Sequence, residues 1–285
     1  MRYSPLYIIY LCGMLKKLFH WYIHGSIHVA LAVYALVRVT EVQLMLPYHE
    51  AVAYVAFYGT IVSYNFIKYR PTSFINLSTY IKEYLNISIL TSIVFMFAVY
   101  YALQLPYSVL ILLTFVAVLT FLYALPILPN HKSLRYTSGA KVSAVALCWT
   151  LVTVFAPVLA YESSFTTESI WIGIERFFFV FALTIPFEIR DLKTDDHSLS
   201  TLPKRWGILR AKQVGYILLS LSIGIDFFFC HRETISISMF VITTGIVGII
   251  GLGIRGANTE QHQYYSAFFI EAIPILWWTI VSVWQ

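Results

Sequence analysis

The feature that most constrains this chain is the recurrence of apolar segments, each long enough to cross a bilayer, between short polar breaks. A helix needs about 20 predominantly apolar residues to span the hydrocarbon layer. We count about nine such segments, with centres near Ala30, Val55, Ile93, Val116, Ala146, Val180, Leu219, Thr243 and Leu276. The sequence therefore predicts an all-α membrane protein, a bundle of about nine transmembrane helices.

The composition excludes a soluble globular protein. Hydrophobic residues make up 59% of the 285 residues and charged residues only 12%, against about 25% charged residues in soluble domains. No long linker separates the apolar segments, so we expect residues 1–285 to form a single polytopic membrane domain, with residues 1–17 as an N-terminal cytoplasmic or interfacial segment. The three cysteines are scattered, which indicates neither a disulfide framework nor a thiolate metal site.

The positions of the basic residues predict the orientation in the membrane. The net charge is +5, but the basic residues lie between apolar spans and form no single patch, so binding to nucleic acid is not expected. They cluster before the first span and after the even-numbered spans, which places the N-terminus in the cytoplasm and the C-terminus outside. The residues behind this assignment are Lys16, Lys17, Lys68, Arg70, Lys82, Lys132, Arg135, Lys141, Arg190, Lys193, Lys204, Arg205, Arg210, Lys212 and Arg255.

The richest polar segment follows the sixth span. If that span continues as a helix, Glu188, Asp191 and Asp195 lie at i, i+3 and i+7, so their carboxyl groups stack on one face. Stacked carboxylates repel one another and need a cation, and magnesium prefers such hard oxygen ligands together with phosphate oxygens. The alternative is a solvated helix end whose acids are neutralised by Arg190 and Lys193. The segment alone leaves both interpretations open.

The same segment carries a resemblance to a known family. Glu188, Arg190, Asp191 and Asp195, followed by Thr201–Pro203, resemble the second Asp-rich motif of the UbiA-type intramembrane prenyltransferases. Further similar stretches lie at 207–212, at 122–126 and at 132–139. The resemblance implies a nine-helix fold in which magnesium holds the diphosphate of an isoprenoid donor beside a lipophilic acceptor.

The resemblance also implies roles for individual residues. Asp191 and Asp195 would be catalytic and would bind magnesium together with Glu188. Lys132, Arg135 and Arg190 would contact the diphosphate. This segment would face the one after the second span at the cytoplasmic mouth of a central cavity.

The first motif of the resembled family is largely replaced in this chain. Of its polar positions only Asn65 is kept, and Phe66, Tyr69 and Ser73 stand where the family has carboxylates. The resemblance places Asn65 near the diphosphate, and Lys68 and Arg70 add positive charge in the same turn; lysine and arginine bind phosphate. Taken singly, these two cations also fit ordinary positive-inside loop charge. At most one magnesium cluster is expected, and the activity is expected to be weakened or altered.

The motifs and the intramembrane acids together point to two classes of function. The first is a UbiA-like transferase that moves an isoprenoid chain from a prenyl diphosphate to a lipophilic acceptor. The second is a non-enzymatic isoprenoid-phosphate binding protein, or a transporter that uses the intramembrane acids Glu175, Asp226 and Glu271. Membrane lipid is the expected surrounding, and no feature points to a protein partner. The tryptophans near the C-terminus predict an interfacial aromatic belt; they are Trp277, Trp278 and Trp284.

Overall fold

The structure is a computed structural model that describes residues 5–69, 77–125, 139–162, 164–194 and 201–284. Within these ranges the chain is helical and contains no β-strand. The helices are α1 Pro5–His24, α2 Ile27–Gln43, α3 Glu50–Tyr69, α4 Leu77–Ala102, α5 Tyr107–Ala124, α6 Ala140–Thr150, α7 Ala156–Tyr161, α8 Thr167–Asp191, α9 Leu202–Trp206, α10 Ile208–His231, α11 Ile237–Gly256 and α12 Ile273–Trp284. Short π-helical segments join α6 to α7, at Leu151–Phe155, and precede α12, at Tyr265–Ile270.

The helices are those of a multi-pass membrane protein. Seven helical segments of the described chain are long and apolar enough to cross a membrane, and the bent pair of α1 and α2 makes an eighth if it counts as one span. α3 has 20 residues, which correspond to about 30 Å, the thickness of the hydrocarbon layer, but four tyrosines lower its hydropathy. Each predicted span centre falls on one of these helices. The all-α membrane fold is confirmed, with nine as an approximate span count.

α2 and α8 form the centre of the bundle. α8 packs against α6, α10 and α11, and α2 packs against α3 and α12. Leu36 on α2 and Phe179 on α8 are both fully buried in this core. α4 and α5 lie at the edge, where Met96 and Ile111 are 70% and 71% exposed. Lipid tails accept such apolar surface without the cost it has in water, so these faces are expected to contact the bilayer.

The first span is broken at Gly25 and Ser26, where α1 and α2 meet at 56°. A Cβ atom on Gly25 would lie 2.7 Å from the carbonyl oxygen of Trp21, so no larger residue fits without a shift of the backbone. Ser26 has a φ of 61°, in the left-handed region. Such a break removes helical hydrogen bonds, and inside a membrane the protein itself must supply the missing partners. α3 supplies them, and this contact forms one side of the candidate site.

The prediction of a C-terminal aromatic belt is wrong for Trp277. Its side chain is fully buried, with its ring 5.0 Å from that of Phe179. Trp284 is 71% exposed, as a residue at the membrane interface would be. The sequence could not separate the two, because which face of a helix points inward depends on how the helix is rotated against its neighbours.

Candidate functional site

An apolar cavity of 540 Å³ lies between α2, α3, α4, α5 and α6. It follows α3 from Val55 to Ile67, and no charged side chain is among the described residues that line it. Its size falls within the range of about 300–1,000 Å³ typical of small-molecule sites. Polar groups are spread thinly over its wall, at Thr60, Ser63, Tyr64, Thr114, Thr120, Tyr123, Cys148 and Trp149. The cavity can therefore hold an elongated and mostly apolar molecule.

One end of this cavity lies where α3 and α8 finish and α6 begins, and we call this end of the bundle the mouth end. Ile67 and Ala144 line the cavity there. Ile67 comes directly before Lys68, and Ala144 lies one helical turn after Lys141. Trp149 Nε1 donates a hydrogen bond to Tyr64 Oη at 3.1 Å and joins α6 to α3 across the cavity wall. The apolar cavity thus gives way directly to ionisable side chains.

Asn65 fastens α3 to the break in the first span. Its side chain is 3% exposed and accepts a hydrogen bond from Ser26 Oγ at 2.8 Å. Asn65 Nδ2 donates to the carbonyl oxygen of Gly25 at 3.4 Å and to Thr91 Oγ1 at 2.9 Å. Asn65, which the sequence predicts to contact the diphosphate, is therefore hydrogen-bonded to protein groups through both its amide oxygen and its amide nitrogen. Its observed contacts hold three helices together at the mouth end.

Lys68 lies one turn after Asn65 and faces the same break. Its Nζ donates to Ser26 Oγ at 3.0 Å and lies 5.9 Å from the centre of the Tyr64 ring. The ammonium group also interacts electrostatically with Arg190 on α8 and with Glu271 before α12. Lys68 and Arg190 come from the two segments expected to face one another, so the structure brings these segments together at the mouth end.

The acidic side of the mouth end is the last turn of α8. Glu188 is buried and Asp191 is partly exposed, and both approach the same cation, Lys141 on α6. Lys141 Nζ lies 2.9 Å from Glu188 Oε1 and 3.5 Å from Asp191 Oδ2. Arg190 Nε donates to Asp191 Oδ1 at 2.8 Å, and its guanidinium carbon lies 5.3 Å from the ring centre of Phe187. The i, i+3 spacing thus brings two carboxylates to one point, as expected from the sequence.

α8 ends at Asp191, and residues 192–194 form a turn. Of the three acids expected to stack, Glu188 and Asp191 lie on α8. Asp195 lies outside the described residues, as do three of the predicted phosphate ligands, Arg70, Lys132 and Arg135. Lys193, offered by the alternative interpretation as a partner of these acids, forms an ion pair with Glu260 instead.

Two groups at the mouth end are not part of the sequence motifs. The sequence points to Lys141 only as an orientation signal and to Glu271 only as an intramembrane acid. The structure places Glu271 within electrostatic range of Lys68 and Arg190. A third group, Gln261, supports the end of α8 from outside: its Nε2 donates to the carbonyl oxygen of Pro186 at 2.9 Å and to Ser266 Oγ at 2.6 Å. These three groups could not be predicted from helical spacing, because spacing within one segment says nothing about contacts between segments that are distant in the sequence.

The carboxylates of α8 can be tested as a magnesium site. Among the described residues no group of three or more His, Cys, Asp or Glu side chains converges to hold a metal ion. Glu188 and Asp191 nevertheless bring hard oxygen ligands to one point, at Lys141 Nζ. Magnesium is usually held by one or two carboxylates, with substrate phosphates and water as its other ligands. The donor set therefore fits a magnesium ion that binds together with a diphosphate.

No protein-family model matches this sequence, and no curated protein matches it. Solved structures, however, share its fold. A UbiA homologue from Archaeoglobus fulgidus superposes with a TM-score of 0.63 at 13% identity, over 93% of this chain and 98% of that chain. A UbiA homologue from the same organism bound to GPP and Mg²⁺ gives 0.60 at 13% identity, over 91% and 95%. The structure of a digeranylgeranylglyceryl phosphate synthase gives 0.59 at 11% identity, over 95% and 100%.

These superpositions cover nearly the whole of each chain, and they confirm the UbiA-type fold expected from the motifs. The low identities agree with a sequence that has diverged strongly from these proteins.

Proposed function

We propose that this protein is a membrane prenyltransferase that moves an isoprenoid chain from a prenyl diphosphate to a lipophilic acceptor. The observation that carries the proposal is an apolar cavity that ends directly at a mouth of ionisable groups. Tyr64 and Ile67 line the cavity, whereas Asn65 and Lys68, the residues that follow them, belong to the mouth end. A prenyl diphosphate divides in the same way, into a long apolar chain and a charged head.

The head group is assigned to the cations of the mouth end. Lys68 and Arg190 approach it from α3 and α8, and Lys141 lies on the third side, on α6. Ammonium and guanidinium groups bind phosphate through charge-assisted hydrogen bonds. Their present partners are a serine hydroxyl and carboxylates, which a diphosphate can replace. By the resemblance, Arg70, Lys132 and Arg135 complete this set.

Magnesium is assigned to Glu188, Asp191 and Asp195. When bound, it supplies positive charge that offsets the negative charge growing on the departing pyrophosphate. Lys141 pairs with Glu188 and Asp191 in the structure, and it turns to the phosphates when magnesium takes its place beside these acids. The related fold bound to GPP and Mg²⁺ supports this assignment.

The reaction needs one bond to break and one to form. The bond between the first carbon of the prenyl chain and the diphosphate oxygen breaks, and its electron pair leaves with pyrophosphate. That carbon then bonds to the acceptor, which loses a proton. Lys68 and Arg190 stabilise the leaving charge because they are fixed in place before the reaction. The apolar cavity wall excludes water, which would otherwise capture the allylic cation.

The altered first motif bears on the rate. Tyr69 stands where the resembled family has a carboxylate, and its hydroxyl donates to the carbonyl oxygen of His24 at 2.9 Å. At this position α3 therefore supports the broken first span, whereas the carboxylate of the resembled family would bind a second metal ion. Each 1.36 kcal/mol of lost transition-state stabilisation slows a reaction about tenfold. Slow turnover, or an unusual donor, is the expected result.

The second candidate function is binding of an isoprenoid phosphate, or its transport, without chemistry. The observation that favours it is the pairing of Glu188 and Asp191 with Lys141 and of Asp191 with Arg190. Because the acids and cations of the mouth end already neutralise one another, this arrangement fits reversible binding of a phosphate that is not cleaved.

The test is to incubate the purified protein with prenyl diphosphates, magnesium and a membrane lipid extract. Pyrophosphate release and new lipid products are measured, the latter by mass spectrometry. We expect release to fall by about tenfold or more in Asp191→Asn. The matched control is Glu260→Gln, because Glu260 is 77% exposed and pairs only with Lys193 among the described residues; its release should equal that of the starting protein.

The outcomes separate the two functions. Magnesium-dependent binding of the diphosphate without release or product supports the binding protein. No binding of any prenyl diphosphate contradicts both functions.

A further inference from the structure

A second group of ionisable side chains lies deep in the bundle, away from the mouth end. Glu175 and Arg176 on α8 are fully buried, and Asp226 on α10 is 2% exposed. Thirteen residues of α8 separate Glu175 from Glu188, which corresponds to about 20 Å along the helix. These three residues therefore form a separate cluster, nearer the opposite end of the bundle, which we call the far end.

The positive charge of this cluster is held by neutral groups of α2. Arg176 Nη1 donates to the carbonyl oxygen of Leu36 at 3.1 Å and to Thr40 Oγ1 at 3.2 Å. Arg176 Nη2 donates to Gln43 Oε1 at 2.8 Å. On the other side, the guanidinium carbon lies 5.1 Å from the ring centre of Trp277 on α12. The guanidinium is thus fixed in position and solvated by the protein.

α8 and α10 bring the two carboxyl groups within electrostatic range of one another. Ser222 Oγ donates to Glu175 Oε1 at 2.8 Å, and Asp226 lies one turn beyond Ser222 on the same face of α10. Neither oxygen of Asp226 has a hydrogen-bond partner among the described residues, and neither has Glu175 Oε2. Glu175 Oε2 lies 3.7 Å from Arg176 Nε. Three carboxyl oxygens of this cluster are therefore buried without a hydrogen-bond donor among the described residues.

The charges of this cluster do not balance if both acids are ionised. Two carboxylates and one guanidinium leave one negative charge, and the groups that face them from α2 and α12 are neutral. Among the described residues, the charged groups that act on Asp226 are Glu175 and Arg176. An ionised carboxylate buried without donors is strongly unfavourable. One proton supplies the missing charge, because protonation of either acid leaves one carboxylate to balance Arg176.

We propose that Glu175 and Asp226 form an intramembrane proton-binding site, which holds one proton between two carboxyl groups beside the fixed charge of Arg176. The proton exchanges with the medium at the far end. A cavity of 220 Å³ lies there, lined by Gln43 together with Glu162 and Glu168. Gln43 Oε1 contacts Arg176, whereas Gln43 Nε2 has no partner among the described residues. The side chains of Gln43 and Arg176 thus separate this cavity from the two acids, and the proton site does not depend on any residue of the mouth end.

Infrared spectroscopy of the intact protein in lipid nanodiscs tests the proposal. We expect a carbonyl stretch from a protonated carboxyl group at neutral pH, shifted when H₂O is exchanged for D₂O. Asp226→Asn should abolish this band, because asparagine keeps the shape of the neutral acid and leaves Glu175 balanced by Arg176. Glu175→Gln should abolish it for the same reason. The control is Glu260→Gln, because Glu260 is 77% exposed and lies away from the far-end cavity; this change should leave the band unchanged.

Several results overturn the proposal. One is the absence of a D₂O-sensitive carboxyl band in the wild-type protein, and another is a carboxyl band whose intensity is the same in the wild type and in both variants. A third is thermal stabilisation by sodium over choline chloride that disappears in Asp226→Asn, since the site would then hold an alkali ion in place of a proton. If these variants do not fold, Asp226→Glu and Glu175→Asp decide the question, because each keeps an acid at its site and must shift the band without removing it.

Discussion

Asn65→Ala is expected to destabilise the protein by about 2 kcal/mol, because interhelical hydrogen bonds in a membrane protein contribute about 0.6 kcal/mol each. The substitution removes three of them, to Ser26, to the Gly25 carbonyl and to Thr91. A loss of about 2 kcal/mol changes the ratio of unfolded to folded protein about 30-fold. The effect is larger if the Gly25 carbonyl stays buried without a donor, since that adds about 1–3 kcal/mol.

The assay is reversible unfolding in mixed micelles of SDS and a mild detergent, followed by circular dichroism. The matched control is Thr60→Ala on the same helix, because among the described residues Thr60 Oγ1 donates to the carbonyl oxygen of Ala56, one turn back on its own helix, at 2.6 Å. This change should remain within about 0.5 kcal/mol of the wild type. Affinity for a prenyl diphosphate should also fall in Asn65→Ala, because Ser26 contacts both Asn65 and Lys68.

Two results would refute this reasoning. The first is an unfolding free energy of Asn65→Ala within about 0.5 kcal/mol of the wild type, which would mean that the bend holds its shape without Asn65. The second is an equal loss in Thr60→Ala, which would show that polar groups anywhere on α3 have the same effect.

Three further predictions concern orientation, support of the site and chain length. A cysteine replacing exposed Lys204 should react with impermeant reagents from the cytoplasmic side and one replacing exposed Glu233 from the outside; the reverse pattern would invert the proposed topology. Gln261→Leu should cost about 1–2 kcal/mol in thermal unfolding and weaken diphosphate binding in calorimetry, because it frees the carbonyl of Pro186; unchanged binding would show that the end of α8 needs no such support. Gly59→Leu should preserve the fold, since a Cβ there meets no atom within 4 Å, but its side chain should fill part of the cavity. In competition assays it should therefore reduce affinity for long prenyl chains more than for short ones. An equal loss for both would argue against the cavity as the binding site of the chain.

Much of the fold could be predicted from the sequence because membrane spans are local features. A run of apolar residues such as that around Val180 predicts a helix whatever its neighbours are. The break at Gly25 and Ser26 was not predicted, since one glycine in an apolar run has many possible roles. Trp277 was assigned to the wrong environment because helix rotation is set by packing.

The candidate site was predicted only in part, for a related physical reason. The i, i+3 spacing of Glu188 and Asp191 is a property of one helix, and the structure brings their carboxylates to one point. The cation at that point, Lys141, belongs to a different helix, and no spacing rule connects the two. The same holds for Glu271, whose proximity to Lys68 joins segments about two hundred residues apart.

The apolar wall of the 540 Å³ cavity suggests that the ligand concentration that matters for binding is its concentration in the membrane. The proposed ligand carries a long isoprenoid chain that partitions from water into the bilayer, so by this proposal the cavity exchanges with molecules that diffuse in two dimensions. Occupancy then depends on the mole fraction of that ligand in the membrane. Adding inert phospholipid at a fixed total amount of ligand dilutes it and lowers occupancy, whereas changing the volume of buffer does not.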